Sequence, residues 1–176
     1  MALQYASPSD PAPAPTANAP LPVMHMAADK AWMDFNGHMN VAAYAQVFDD
    51  GLNAFLETVG VGETYRRECG GSVFVVQSNI LFQREVLEGE CLFITLQILD
   101  MDAKSLHLFL RMINESRGIQ AATAEMMTVH VDMTTRRSAP FPKLACERLE
   151  KLVHLQRCLS RPVEAGRAIA IRHRRR

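Results

Sequence analysis

The longest periodic stretch of the chain begins after Asn40, where apolar residues recur at intervals of three and four. That spacing places them on one face of an α-helix, while acidic and amide side chains occupy the opposite face. Asn40 suits the N-cap, and Gly60 and Gly62 supply a stop after the last periodic position. The pattern therefore predicts a long helix that is buried along one side. Its apolar positions are Val41, Tyr44, Ala45, Phe48, Leu52, Phe55, Leu56 and Val59.

Four segments downstream of this helix are rich in Val, Ile, Leu, Phe and Thr, a composition typical of β-strands. They cover residues 72–82, 90–99, 105–113 and 121–131, and a first strand is expected within 23–33. Residues 144–159 carry apolar positions at helical spacing, which predicts a C-terminal helix. One long helix followed by a run of antiparallel strands is an α+β arrangement.

The domain organisation follows from length and composition. With 176 residues and 48% hydrophobic side chains, the chain can bury one normal core and is too short for two ordinary domains. Residues 1–22 alternate Pro with Ala and small polar residues, so we expect a disordered arm there. Residues 23–171 are expected to form the single domain, and the basic residues 172–176 a solvated tail.

The charge balance excludes several classes of partner. Lys plus Arg equals Asp plus Glu, at 19 each, so no global field favours nucleic acid or a membrane surface. The four cysteines form no CxxC pair, no basic and apolar leader opens the chain, and no apolar stretch is long enough to span a bilayer. These features predict a cytoplasmic protein. No His, Asp and Glu cluster shows ligand spacing, so neither a metal nor another cofactor is expected.

A run of chemically capable side chains, from Trp32 to Tyr44, spans the start of the predicted helix. Asp34 is ionised at neutral pH, because the reference pKa of an Asp is about 3.9. The first turn of a helix presents free N–H groups and the positive end of the helix dipole. Such an end can polarise a carbonyl oxygen while Asp34, or a water that it activates, attacks the carbonyl carbon. This arrangement is typical of acyl transfer.

The string DFNGHMNVAAY, which starts at Asp34, resembles the signature of the hotdog-fold acyl-CoA thioesterases of the 4-hydroxybenzoyl-CoA thioesterase type. The spacing of its Asp, Asn and His is also similar to that of the plant acyl-carrier-protein thioesterases. The resemblance continues through GGSVFVVQSNILFQREVLEGE, DAKSLHLFLRM, ATAEMMTVHVD and SRPVEAGRAIAI, and so covers about residues 23–171. Within that family, these segments are similar to the betainyl-CoA thioesterases of bacterial carnitine breakdown, including those fused to carnitine dehydrogenases.

The resemblance implies a hotdog fold, in which an antiparallel sheet of about five strands wraps a long central helix, with a further helix at the C-terminus. It implies hydrolysis of an acyl-CoA thioester, with betainyl-CoA giving glycine betaine and CoA. Two alternatives stay open: a thioesterase for another short polar or aromatic acyl-CoA, and a non-catalytic hotdog protein that binds acyl-CoA. The family also implies a homodimer or homotetramer with active sites between subunits.

Three polar side chains of the motif are the candidate catalytic residues. Asp34 is expected to be the general base or the nucleophile, and the family itself is divided between these roles. Asn36 either forms a turn or holds the lytic water or the thioester oxygen. His38 either orients Asp34 or the substrate carbonyl, or bonds a nearby backbone carbonyl. A residue such as Asp34 can also simply cap a turn before a helix.

The backbone that follows supplies the candidate oxyanion hole. Gly37 permits a tight turn, and the amides of His38, Met39 or Asn40 are the expected donors to the developing oxyanion. Each such donor is worth about 10²-fold to 10³-fold in rate.

Aromatic residues of the motif are candidates for the acyl pocket. A trimethylammonium group attracts aromatic faces, and Trp32, Phe35 and Tyr44 surround the motif in sequence. The alternative is that Trp32 and Tyr44 are ordinary core residues.

Basic and acidic residues outside the motif are candidates for binding the rest of the substrate. Arg136 and Arg137 follow the strand that ends near Asp132, and these two residues and Arg84 are the candidates for the CoA phosphates. Glu85 aligns with a carboxylate that some relatives place in the site. The alternative for Glu85 is a solvated strand-end pair with Arg84.

Overall fold

The computed structural model describes residues 16–171, which form an antiparallel sheet, one long helix and two further helices. The helices are α1 (Val41–Val59), α2 (Glu63–Cys69) and α3 (Lys143–Gln156), and a single 3-10 turn covers Lys30–Trp32. The strands are β1 (Leu21–Ala27), β2 (Gly71–Phe82), β3 (Cys91–Met101), β4 (Ser105–Asn114), β5 (Ile119–Asp132) and β6 (Arg137–Ser138).

The sheet has the strand order β1-β3-β4-β5-β2, and every neighbouring pair is antiparallel. The two-residue strand β6 pairs with the end of β5 through Val131 and Asp132. The strands β1 and β2 lie at the two edges of the sheet. The predicted α+β arrangement of one long helix and an antiparallel sheet is therefore confirmed.

The core lies between α1 and one face of the sheet, which we call the inner face. A Cβ atom placed on Gly51 of α1 would lie 3.0 Å from Ile94 Cγ2 and 3.6 Å from Leu110 Cδ2. Because side chains alternate along a strand, the even-numbered residues Leu106, Leu108, Leu110 and Met112 of β4 share that inner face, and all four are fully buried. The close approach at Gly51 explains why this helix position carries no side chain.

The buried stripe of α1 differs from the predicted one at its N-terminal end. Val41 is 67% exposed and Ala45 is also exposed, whereas Ala43, Val47 and Gly51 are buried. The predicted burial of Val41 and Ala45 was wrong, because both lie on the exposed side of α1 in line with Asp49, at intervals of four residues. The predicted ends of the helix are confirmed by the caps at Asn40 and Gly60.

The four later strands lie close to their predicted bounds, while three short elements were not predicted: the 3-10 turn, α2 and β6. Helix α2 buries none of its residues, so it produces no apolar period. Strand β6 contains only two residues. Strand β1 begins at Leu21, so the last two residues of the predicted arm pair with β3. Residues 1–15 of that arm and the predicted tail 172–176 lie outside the described residues. None of the described helices is long and apolar enough to cross a membrane.

Candidate active site

A tight turn before α1, residues 33–40, holds the motif together; we call it the Asp34 turn. Met33 and Met39 form an isolated antiparallel bridge across its base. Inside the bridge, the Asp34 amide donates to the His38 carbonyl at 2.9 Å, and the Gly37 amide donates to the Asp34 carbonyl at 3.0 Å. Gly37 has φ +78°, a value that favours glycine. The turn is therefore set by contacts within eight residues.

The Asp34 carboxylate lies beside the two other candidate catalytic side chains. Its Oδ1 accepts the Asn36 amide at 2.7 Å, and its Oδ2 accepts the Asn36 side-chain amide at 3.3 Å. His38 Nδ1 lies 3.9 Å from Asp34 Oδ1 and 3.3 Å from the Met39 carbonyl. The Asp34 side chain is 24% exposed and that of His38 37%. The carboxylate thus caps its own turn and remains accessible from solvent.

Two of the expected oxyanion donors are already used by the protein. The Met39 amide donates to the Val86 carbonyl at 2.8 Å, and the Asn40 amide donates to the Trp32 carbonyl at 2.8 Å. Of the three amides offered as oxyanion donors, those of Met39 and Asn40 are therefore engaged, which leaves that of His38. Asn40 instead caps α1, because its Oδ1 accepts the Ala43 amide at 2.9 Å.

Other amides at the same place are free. Within residues 16–171, the amides of His38, Val41 and Ala42 donate no hydrogen bond to the protein. Val41 and Ala42 open α1, so their N–H groups lie at the positive end of the dipole of a 19-residue helix. The sequence had pointed to the His38 amide and, without naming Val41 and Ala42, to the free N–H groups of the first helical turn.

A second segment, residues 82–86 at the end of β2, packs against the Asp34 turn. The Tyr44 hydroxyl donates to the Arg84 carbonyl at 3.1 Å, and the Phe82 ring meets the Tyr44 ring edge to face at 5.1 Å. Burial raises the pKa of Tyr44 above its usual 10.0, so the hydroxyl stays protonated as a donor. Val86 completes this wall through its bond to Met39.

The three aromatic candidates do not come together around the turn. Phe35 is 98% exposed, Trp32 is half-buried against the core, and Tyr44 is buried. The aromatic neighbour of Tyr44 is Phe82, which is 49% exposed. Phe82 was not among the predicted site residues, because its contact with Tyr44 joins positions that are far apart in the sequence.

The charged candidates divide into two groups. Arg84 and Glu85 are exposed residues of the segment beside the Asp34 turn, and the Arg84 guanidinium donates to the Gln83 carbonyl at 2.7 Å. The Glu85 carbonyl accepts from Arg117 at 3.3 Å. Among the described residues, no ion pair joins Arg84 to Glu85.

Arg136 and Arg137 lie elsewhere, in the hairpin between β5 and β6. That hairpin adjoins the first residue of β2, because Asp132 pairs with both Arg137 and Gly71. The Asp34 turn adjoins the last residues of the same strand. Eleven residue steps of about 3.3 Å each put the two ends of β2 about 35 Å apart. One chain therefore does not bring these two arginines to Asp34.

Comparisons with known proteins agree with this fold. Residues 29–149 match the family model described as the thioesterase-like superfamily. The chain is 35% identical over 153 residues, 87% of its length, to an L-carnitine dehydrogenase/betainyl-CoA thioesterase of Rhizobium meliloti strain 1021. It spans 31% of that longer protein. It is also 33% identical over 140 residues to a betainyl-CoA thioesterase of Pseudomonas aeruginosa, covering 80% of this chain and 88% of the relative.

Solved structures show the same architecture. A Staphylococcus aureus protein solved in complex with CoA superposes with a TM-score of 0.82 and 28% identity. The superposition covers 90% of this chain and 100% of the other. A 1,4-dihydroxy-2-naphthoyl-CoA thioesterase from Synechocystis shares the fold, with a TM-score of 0.66, 18% identity, and coverage of 74% of this chain and 96% of the other. With the predicted hotdog fold confirmed, the chain belongs to the thioesterase-like superfamily.

Proposed function

We propose that this protein hydrolyses acyl-CoA thioesters at the Asp34 turn. The observation that carries the proposal is the pairing of an accessible carboxylate, Asp34, with the free amides of His38, Val41 and Ala42. Hydrolysis of a thioester needs a base or nucleophile on one side of the carbonyl and donors for the oxyanion on the other. Membership of the thioesterase-like superfamily supports the same reaction.

Two groups take part in the proposed reaction: the free backbone amides and the Asp34 carboxylate. The substrate carbonyl oxygen accepts from the free amides at the start of α1, where the helix dipole stabilises the negative charge that develops. Asp34 then acts in one of two ways: it removes a proton from an attacking water, or it attacks the carbonyl carbon itself and forms an anhydride that water opens. In both cases the CoA thiolate leaves. His38 and Asn36 orient the carboxylate through the contacts described above.

We propose betainyl-CoA as the substrate. Relatives at 33% and 35% identity carry that activity in their names. The half-exposed Phe82 ring, which packs edge to face on the buried Tyr44, provides an aromatic surface beside the turn, and the exposed Glu85 follows Phe82 by three residues. A quaternary ammonium over such a surface gains about 2 kcal/mol when it is desolvated. Another short acyl-CoA as substrate and a purely binding role remain the alternatives.

We further propose that two copies assemble through β2. This strand lies at the edge of the sheet, and its Val75 and Val76 are 41% and 60% exposed. Two edges that pair antiparallel about a two-fold axis bring the first residue of one β2 towards the last residue of the other. The hairpin with Arg136 and Arg137 would then approach the Asp34 turn of the partner, where CoA phosphates need cations. The homotetramer and the cytoplasmic location stay predictions.

The experiment compares hydrolysis of betainyl-CoA with that of 3,3-dimethylbutyryl-CoA, which has the same shape without the charge. Loss of thioester absorbance measures kcat/KM for each substrate. We expect betainyl-CoA to be preferred more than tenfold, since about 2 kcal/mol exceeds the 1.4 kcal/mol of a tenfold ratio. We expect Asp34→Asn to lower kcat by at least about 10²-fold with both substrates.

Asp49→Asn is the matched control, because Asp49 is an exposed carboxylate of α1 on the side away from the core. Equal kcat/KM values for the two substrates would contradict betainyl-CoA as the substrate and favour another acyl-CoA. Binding of acyl-CoA without turnover, measured by calorimetry, would replace the hydrolase with a binding protein.

A further inference from the structure

The last residues of β2 point alternately to the two faces of the sheet. Phe82 pairs with Ala122 and lies on the inner face, where it meets Tyr44. The Gln83 side chain, just after the strand, meets Gln120 of β5 on the opposite face, which we call the outer face. The amides of Gln83 and Arg84 both donate to the Ala121 carbonyl, at 2.9 and 3.0 Å. One strand end thus connects the wall of the proposed site to the outer face.

A segment after α3, residues 160–168, crosses the outer face; we call it the strap. It has no regular secondary structure and is held by side chains of β2, β3 and β5. The contacts are Gln97 Nε2 to the Ser160 carbonyl at 3.2 Å, Arg161 to Glu125 at 3.7 Å, the Gly166 amide to Glu125 at 2.6 Å, and Asn79 Nδ2 to the Arg167 carbonyl at 2.9 Å. The strap therefore spans the sheet from β3 to the edge strand β2.

Glu164, in the middle of the strap, holds the residue that points outward at the end of β2. Its Oε1 accepts from Gln83 Nε2 and from Gln120 Nε2, each at 3.3 Å. Gln120 Nε2 also donates to Gln83 Oε1 at 2.9 Å, so the three side chains close a triangle. A carboxylate suits this position, because it accepts both amides and offers no competing donor.

We propose that Glu164 is a positioning residue for the proposed hydrolytic site, which it reaches through Gln83 from the opposite face of the sheet. Holding the Gln83 side chain also holds the backbone of the next residue, Arg84, whose carbonyl accepts the Tyr44 hydroxyl. Tyr44 lies in the first turn of α1, beside the free amides.

The same strand end also reaches the Asp34 turn directly. Two residues after Arg84, the Val86 carbonyl accepts the Met39 amide and so fixes the C-terminal half of the turn. Glu164 thus acts on the geometry of Asp34 without touching the substrate. Small displacements are enough to matter, since about 1 Å of misplacement costs about 10²-fold in rate.

This inference rests on the proposed function, and its test has one arm that uses activity and one that does not. The activity arm compares Glu164→Ala, Glu164→Gln and the control Glu150→Ala, which removes an exposed carboxylate of α3. We expect Glu164→Ala to lower kcat about tenfold, with KM for the acyl-CoA changed less than about twofold. Glu164→Gln retains an acceptor oxygen and should restore kcat to within about threefold, and Glu150→Ala should match the wild type.

The second arm is hydrogen exchange of backbone amides in the protein without substrate. We expect Glu164→Ala to speed exchange of the Gln83 and Arg84 amides, while amides in the middle of α1 keep the wild-type rate. Hydrogen exchange tests the link between Glu164 and the end of β2 even if the wild type hydrolyses no acyl-CoA. A lack of hydrolysis would overturn only the proposed function.

Unchanged exchange at Gln83 and Arg84, or an unchanged kcat in an active enzyme, would overturn the inference. A loss in Glu164→Ala that Glu164→Gln does not restore would also overturn it, because an acceptor at residue 164 would then not be what matters. If Glu164→Ala does not fold, Gln83→Met removes the hydrogen bond to Glu164 from the strand side with a side chain of similar length. Unchanged amide exchange at the strand end, or an unchanged kcat, would overturn the inference in that variant too.

Discussion

The inner and outer faces of the sheet are covered by different chemistry. On the inner face, α1 packs apolar side chains such as Phe48 and Leu52 against fully buried residues of β3 and β4. On the outer face, the strap is held by amide and charged side chains, with Glu125 at the centre. Apolar burial is large and non-directional, whereas hydrogen bonds are modest in net free energy and directional. The comparison indicates that the inner face provides the stability of the fold and that the outer face provides orientation.

The largest expected effect is on the inner face, at Leu110. This side chain is fully buried, and its Cδ2 lies against the point where α1 comes closest to the sheet. Leu110→Ala removes buried apolar surface and leaves a cavity, so we expect the free energy of unfolding to fall by about 3 kcal/mol. Urea denaturation monitored by circular dichroism measures the change. A loss below about 1 kcal/mol would show that the inner face does not dominate stability.

An intermediate effect is expected on the outer face, at Glu125. Its carboxylate accepts from the Gly166 amide at 2.6 Å and lies 2.7 Å from His107 Nε2, and its side chain is only 14% exposed. We expect Glu125→Gln to lower the free energy of unfolding by about 1 to 2 kcal/mol, because a charged acceptor is replaced by a neutral one.

The same variant should loosen the strap. Limited proteolysis with trypsin should cut sooner at Arg167, which directly follows the Gly166 contact of Glu125. Destabilisation as large as that of Leu110→Ala, with no change in the rate of cleavage, would reverse the roles assigned to the two faces.

The smallest expected effect is also on the outer face, at Arg111. Burial lowers the pKa of Arg111, and one of its guanidinium nitrogens, Nη1, is buried without a hydrogen-bond partner among the described residues. Arg111→Met keeps the length of the side chain and its contact with the Phe109 ring, which now lies 5.0 Å from the guanidinium carbon. We expect the free energy of unfolding to stay within about 0.5 kcal/mol of the wild type or to rise.

The same denaturation assay checks Arg111→Met. A loss above about 1.5 kcal/mol would mean that the Arg111 charge is compensated, most directly by the nearby carboxylate of Glu164. The Arg111 charge on the outer face would then contribute to the free energy of unfolding, and the two faces would differ less in their contributions to stability.

The fold was predictable where the signal is local. The apolar period of α1 and the composition of the four later strands located their elements, because a half-buried element repeats its pattern along the chain. The apolar period gave the wrong burial at Val41, since this residue lies on the exposed side of the helix with Asp49. It also missed Gly51, since a glycine counts as neither apolar nor polar in such a pattern. Helix α2 has no buried face to reveal it.

The candidate site also contains residues that local sequence predicts and residues that it does not. Asp34, Asn36 and His38 meet because five consecutive residues form one turn, so their spacing alone was enough to group them. The engagement of the Met39 amide depends on the Val86 carbonyl, and the role of Phe82 depends on a contact with a residue 38 positions away. Such long-range pairings leave no pattern in the sequence.

The strap also fixes an order of events during synthesis. It is translated after all six strands, yet its partners, from Asn79 to Glu125, were made at least 35 residues earlier. The helix and the sheet can therefore form around the Asp34 turn while the outer face is still bare. Glu164 reaches Gln83 only once the strap has emerged from the ribosome. We therefore expect the nascent chain to form its helix and sheet before the strap positions the end of β2 beside the Asp34 turn.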